Sequence, residues 1–284
     1  MSKGHLKIII AVIIFSFSPL FVKLIPLDGI SFFWAFSFSG VIFLTLKILC
    51  QNRFKELLKP EKSIFAIALL GIATTINNAL FFSAIKVTTI ANAILTHYLA
   101  PFFLVFLAFI FLKEKIEKSS LLALLLCLVG LIILVSPNEL SFDNKDFVGL
   151  ALGTLSAIFF ASEIILKKEL SPRFRPDTIT LWHIFLSVLL LLPFISFTSI
   201  ISLGILKLAI VFLIGIFVVG IGVTLFVDGL REVKAQQGGA LSYLEPLGAV
   251  LWGILFVGEA VSLITFLGGG LILFGGYLII KQRT

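Results

Sequence analysis

The chain has 284 residues, 60% hydrophobic and only 13% charged, with a mean hydropathy of +1.18, whereas a soluble globular domain carries about one-quarter charged residues. That balance excludes a soluble fold: apolar runs of about 20 residues, the length that crosses a hydrocarbon core of about 30 Å, recur along the whole chain and leave no stretch for a soluble domain. The net charge of +7 would suit nucleic acid as well as a membrane, so the distribution of the basic residues has to decide.

The first apolar segment, 6–25, follows Lys3 and Lys7. It has the charged and apolar regions of a signal peptide but no small-x-small cleavage site after it, and is expected to be a retained helix. Nine more segments follow at 30–50, 64–85, 89–112, 119–136, 147–168, 178–198, 206–228, 237–257 and 262–280. All are continuously apolar, whereas barrel strands alternate polar and apolar over about ten residues. The expected fold is therefore all-α and integral to the membrane, with ten transmembrane helices. With a cytoplasmic N-terminus, 18 of the 22 Lys and Arg residues fall inside, and only Lys23, Lys86, Lys145 and Lys207 fall outside. This asymmetry predicts that both termini are cytoplasmic and accounts for the basic charge without a nucleic-acid partner. Cys50 and Cys127 lie in or beside separate runs, as buried thiols rather than a metal site or redox pair.

Shifting the chain by 145 residues lays Tyr98, Leu99, Pro101, Glu114 and Gly130 on Tyr243, Leu244, Pro246, Glu259 and Gly275. "HYLAP" then covers "SYLEP" and "FLKE" covers "FVGE". A shift of 144 lays Phe15, Ser18 and Lys23 on Phe159, Ser162 and Lys167. The expectation is a duplicated five-helix unit, residues 1–140 and 141–284. Because five is odd, the second copy would cross the membrane in the opposite sense, an arrangement that marks secondary transporters with a midplane solute site between the repeats.

Ten helices, two five-helix repeats and a "YLxP…GE" signature closing helices 4 and 9 resemble the EamA-type exporters of the drug/metabolite transporter superfamily. "SYLEPLGAVLWGILFVGEAV" carries the resemblance most specifically, with "HYLAPFFLVFLAFIFLKEKI" as its first-half partner. The resemblance covers essentially the whole chain. It implies a bacterial inner-membrane carrier of small metabolites, often outward, through a central cavity lined by both repeats. Many members carry an arginine early in helix 2 where this chain has "FFWAFSFSG", so no role of that cation is carried over.

A charge at the centre of a membrane helix costs roughly 2.5–3.5 kcal/mol on insertion scales, so each polar group there needs a partner, water or a function. Glu245 lies about 12 Å into helix 9, at 1.5 Å per residue. His97 falls on Ser242 in the repeat register, one turn before Glu245 on the same expected helical face. Pro246 cannot donate to the Ser242 carbonyl, leaving that carbonyl open to another donor. Glu245 is read either as a substrate-ammonium or proton site or as a protonated packing residue; His97 is read as its titrating partner or as a hydrogen bond between helices.

Thr74, Asn77 and Asn78 share a face of helix 3 at i, i+3, i+4 spacing and should point into the protein. Repeat-equivalent Tyr98 and Tyr243 offer ring and hydroxyl to an amphipathic solute, or simply pack. Glu163 with Lys167 reads as a local i, i+4 ion pair, and Asp228 as a loop-end charge. Trp34, Trp182 and His183 read as interfacial anchors. The 31 phenylalanines read as compositional bias, and Gly149, Gly153, Gly268–Gly270, Gly275 and Gly276 as close helix packing or a dimer contact.

No HExxH constellation, Walker motif or repeated filter loop is present, which speaks against an enzyme, an ATP-driven pump or a channel. The expected function is secondary transport of small organic metabolites by alternating access, amino acids or related zwitterions first, with no cofactor. The substrate-contacting set is Glu245, His97, Tyr98, Tyr243, Asn77, Asn78, Ser242 and Thr74, and Glu245 and His97 are the candidates for proton coupling. The alternative is uptake of a larger cofactor-like metabolite such as S-adenosylmethionine. The expected partners are membrane lipid and the solute, with the chain a monomer or homodimer.

Overall fold

The computed structural model describes residues 2–57, 63–134, 144–252 and 263–281. Among these residues the chain is helical throughout, with no strand. The helices are α1 (Lys3–Phe15), α2 (Ser18–Leu24), α3 (Gly29–Cys50), α4 (Phe54–Leu57), α5 (Ile64–Val87), α6 (Ile90–His97), α7 (Ala100–Phe111) and α8 (Lys118–Leu134). The second half contributes α9 (Asn144–Leu170), α10 (Pro176–Leu191), α11 (Phe197–Ile201), α12 (Gly204–Gly215), α13 (Thr224–Leu230), α14 (Ala235–Leu241), α15 (Leu244–Trp252) and α16 (Leu263–Lys281). A π-helical stretch, Ile216–Val223, joins α12 to α13.

Among the described residues, seven stretches are long and apolar enough to cross a membrane: Lys3–Val22, Gly29–Cys50, Ile64–Val87, Asn92–Phe111, Asp146–Leu170, Pro176–Phe194 and Gly204–Leu230. Lys118–Ile133 and Phe266–Lys281 are shorter apolar helices. Each expected segment therefore meets helix, but the ends of 119–136, 237–257 and 262–280, and Glu259 of the second "GE", lie outside the described residues. The outer surface is apolar, with Ile205 86% and Phe111 67% exposed; such side chains are stable facing lipid, while the backbone polar groups are satisfied within the helices.

Three expected single helices are broken just ahead of a proline, which supplies no N–H and clashes with the carbonyl four residues back. The breaks fall at Ser16–Phe17 before Pro19, Tyr98–Leu99 before Pro101, and Ser242–Tyr243 before Pro246. At the first, Ser18 Oγ donates to the Phe15 carbonyl at 2.8 Å, replacing the bond that Pro19 cannot make. At the second, the Tyr243 hydroxyl donates to the Tyr98 carbonyl at 2.8 Å, so each break holds the other. At the third, the Glu245 N–H donates to the Ser242 carbonyl at 3.0 Å. That carbonyl was expected to be open to another donor, and the turn itself supplies one.

The two halves interlock. α5 lies along α9, α8 along α16, α1 along α13, and α10 against both α3 and α5. Gly153 lets α9 approach α6 so closely that a Cβ there would lie 2.0 Å from Thr96 Oγ1. On the α8–α16 seam a Cβ at Gly130 would meet the Gly268 carbonyl at 2.7 Å and Ile272 at 2.9 Å, and one at Gly275 would meet Cys127 Sγ at 2.4 Å and the Ala123 carbonyl at 2.9 Å. These are the same contacts with the halves exchanged at an offset of 145. Gly130, Gly153 and Gly275 thus serve packing inside the chain.

At the helix ends, Arg53 makes paired hydrogen bonds to Asp177 at 2.8 and 3.0 Å and to Glu56 at 2.9 and 2.6 Å. Those bonds raise the Arg53 pKa and, first among the causes, pull the Glu56 carboxyl below its ordinary value. Lys7 pairs with Asp228 at 2.9 Å and Glu232 at 2.8 Å, and Lys234 pairs with Glu117. Asp228 is a helix-end charge as expected, shared between Lys7 and Arg231.

Candidate functional site

The halves enclose a cavity with about 700 Å³ of empty space, its open mouth included. Six phenylalanines line it, Phe15, Phe33, Phe36, Phe81, Phe82 and Phe160. Compositional bias was the expected explanation for the phenylalanines; these six instead form an aromatic wall. The π-helical stretch adds Val218, Val219 and Val223.

α5 brings the polar face read from its spacing: Thr74, Asn77 and Asn78 all line the cavity. Asn78 Nδ2 donates to the Thr74 carbonyl at 3.0 Å. Asn77 Nδ2 donates to Glu163 Oε1 at 2.7 Å, and Glu163 Oε2 accepts from Lys167 Nζ at 2.5 Å. Glu163 and Lys167 are respectively 2% and 5% exposed. The expected i, i+4 pair is present, but it is deep, it lines the cavity, and it is joined by Asn77 from another helix. A carboxylate has no hydrogen to give, so the Asn77 amide nitrogen faces Glu163 and its Oδ1 faces away. Asn77 Oδ1 and Thr74 Oγ1 are buried with no partner among the described residues.

His97 closes α6 and is stacked on Phe81, ring centroids 4.1 Å apart, with Phe160 at 5.0 Å. Its Nδ1 lies 2.8 Å from Ser156 Oγ, whose own hydrogen is donated to the Gly153 carbonyl at 2.7 Å. The imidazole must therefore donate from Nδ1, leaving Nε2 as the lone-pair atom. His183 was expected at the membrane interface; it is instead fully buried on α10 and lines the cavity. Its Nδ1 donates to the Ile179 carbonyl at 2.7 Å, and its Nε2 has no partner among the described residues. Trp34 likewise departs from the interfacial expectation. It is 9% exposed, stacks on Phe38 and donates from Nε1 to the Val188 carbonyl at 3.0 Å. Both lie further inside because α10 packs between α3 and α5.

Glu245, in the first turn of α15, reaches the same cavity. It also shares a narrow cleft with Tyr98, Pro19 and Pro246. The Tyr98 hydroxyl lies beside the Glu245 carboxyl without closing a hydrogen bond of normal geometry. The remaining two expected residues lie outside the cavity lining. Tyr243 is committed to the Tyr98 carbonyl, with their rings 5.7 Å apart. Ser242 is buried and donates from Oγ to the Gly238 carbonyl at 3.2 Å. Its expected face-sharing with Glu245 assumed one continuous helix, and the break before Pro246 separates the two directions. Glu163, Lys167 and His183 also line the cavity, although the sequence reading gave them other roles, a local ion pair and an interfacial anchor.

The EamA-like transporter family model matches residues 2–136 and again residues 147–281. An uncharacterized transporter of Archaeoglobus fulgidus is 29% identical over 283 residues, covering 97% of this chain and 95% of its own. The pseudopaline exporter CntI of Pseudomonas aeruginosa is 23% identical over 202 residues, covering 71% of this chain and 70% of its own. A solved crystal structure has the same fold at a TM-score of 0.82 and 18% identity, covering 98% of this chain and 96% of that one. The chain thus belongs to the EamA-like transporter family, as a multi-pass membrane transporter of the drug/metabolite type.

Proposed function

We propose that this transporter exports small zwitterionic metabolites, amino acids first, across the cytoplasmic membrane by alternating access. The solute would occupy the cavity between two five-helix repeats of opposite orientation, 1–140 and 141–284. One observation carries the reading: first-half residues Asn77 and His97 and second-half residues Glu163, Lys167 and Glu245 line one cavity with an apolar aromatic wall. A solute bearing both charges on a compact apolar body matches that lining, because a charge taken out of water requires a fixed partner.

The ten-span, inverted arrangement is supported by the two family matches set 145 residues apart, by the reciprocal glycine contacts of α8 and α16, and by the paired tyrosines 98 and 243. Cytoplasmic termini are supported by the 18-to-4 distribution of basic residues. Outward movement is supported by the exporter name of one relative. Glu245 and His97 are the proposed proton-exchanging groups, one from each half.

Counterflow in proteoliposomes tests the function. Vesicles preloaded with an unlabelled amino acid should accumulate the radiolabelled form, and Glu245→Gln should reduce the rate at least about tenfold, the effect of losing one charge-assisted contact. Unchanged flux in Glu245→Gln combined with His97→Ala would remove both residues from the pathway.

A further inference from the structure

Among the described residues, two of the unpartnered groups in the cavity wall can only accept a hydrogen bond, and the third, the Thr74 hydroxyl, can accept or donate. Asn77 donates one amide N–H to Glu163, which orients Oδ1 away as an acceptor. His183 spends its Nδ1–H on the Ile179 carbonyl, leaving Nε2 as an acceptor. His97 spends its Nδ1–H on Ser156, again leaving a lone pair at Nε2. Asn77 Oδ1 and His183 Nε2 are buried with no partner among the described residues, and both side chains line the cavity. They come from different helices, α5 and α10, so no single local motif explains them. Lys167, the one basic side chain with an ammonium in the described lining, is already neutralised by Glu163. Glu245 adds a carboxyl with no basic side chain hydrogen-bonded to it among the described residues. A cation that donates hydrogen bonds would meet both open acceptors and the Glu245 carboxyl. Phenylalanine faces favour such a cation and the apolar body that carries it.

We infer that the site recognises its solute through a protonated primary amine on an apolar body, the ammonium donating to the open acceptors of Asn77 and His183 with Glu245 as counter-charge, and that a carboxylate on the solute is dispensable. This rests on the transport reading above and names the pole of the zwitterion that the cavity selects. An amine fits because its three N–H groups are all donors, whereas a carboxylate brings only acceptors to a wall already rich in them. A lone acid would have to displace Glu163 from Lys167 to find a cation.

Three compounds of one shape separate the poles: leucine, 3-methylbutan-1-amine, which lacks the carboxylate, and 4-methylpentanoate, which lacks the amine. Thermal melting of the purified full chain in the presence of each reads binding, because a ligand of the folded state raises its apparent stability. Leucine and the amine should raise the melting temperature in a concentration-dependent way, and the acid should not. His183→Phe keeps an aromatic ring but removes Nε2, and should weaken the amine about tenfold or more while leaving the ligand-free melt nearly unchanged. If that variant fails to fold, Glu245→Gln should weaken amine binding in the same direction. Binding of leucine and the acid without the amine would overturn the inference and leave the transport reading standing. Binding of the amine alone would support the inference and count against a zwitterionic substrate. Silence from all three compounds would overturn both, and amine binding untouched in both variants would overturn the acceptor assignment.

Discussion

The seam between α8 and α16 and the wall between α5 and α9 both join the first half of the chain to the second, and they are built from opposite materials. The seam is glycine, cysteine and aliphatic carbon, and its contacts repeat when the halves are exchanged. The wall holds Asn77, Glu163 and Lys167, and little of it repeats: at an offset of 145 Thr74, Asn77 and Asn78 fall on Val219, Gly222 and Val223, and of the ion pair Lys167 alone has a like counterpart, Lys23 at an offset of 144. Val219 and Val223 line the same cavity as their polar counterparts. On the duplicated reading, symmetric positions hold the bundle together, and polarity collects where the copies have diverged.

The comparison is broken most severely at the wall. Lys167→Met leaves Glu163 as a buried charge without its cation, and should cost about 3–5 kcal/mol, read as a large drop in the melting temperature or in folded yield. Replacing both members by methionine should recover most of that loss, since an apolar pair of similar volume avoids the desolvation of two ions. The seam comes next. Gly275→Val would drive a side chain into Cys127, and should cost about 1–3 kcal/mol by overpacking. Gly130→Val, against Ile272 and Gly268, should fall in the same range; a seam that tolerated one and not the other would not be symmetric.

Smaller effects sharpen the contrast. Tyr243→Phe removes the donor to the Tyr98 carbonyl at the broken helix, and should cost about 0.5–1.5 kcal/mol. At the helix ends, Glu56 has its carboxyl held below its ordinary value chiefly by hydrogen bonds from Arg53. A depressed carboxyl stabilises the fold above its unfolded pKa and loses that contribution as pH falls through its folded one. Melting curves should therefore show a small acid-side loss from this group, a few tenths of a kcal/mol at so exposed a site, and Glu56→Gln should reduce the total while the Glu232 carboxyl, held low chiefly by its hydrogen bond from Lys7, keeps its share.

Much of this was legible in the residues. Continuous apolar runs located the helices, and i, i+3, i+4 spacing put Thr74, Asn77 and Asn78 on the face that lines the cavity. Proline positions could have revealed the breaks, but reading each run as one helix hid them, and Ser242 was misdirected for that reason. Spacing found the Glu163–Lys167 pair but could not show that Asn77, 86 residues away, joins it. His183 lies seven residues into α10, and depth from a helix end reads as interface until the packing against α3 and α5 is known. Among 31 phenylalanines, the six that face the cavity carry no local mark.

The central claim, that the solute passes through this cavity, is tested most directly by blocking it. In a chain with Cys50→Ser and Cys127→Ala, a single Thr74→Cys places a thiol on the lining, and a methanethiosulfonate reagent should label it and stop amino-acid counterflow. Saturating solute should slow the labelling. Full labelling at Thr74→Cys with undiminished counterflow would contradict the account.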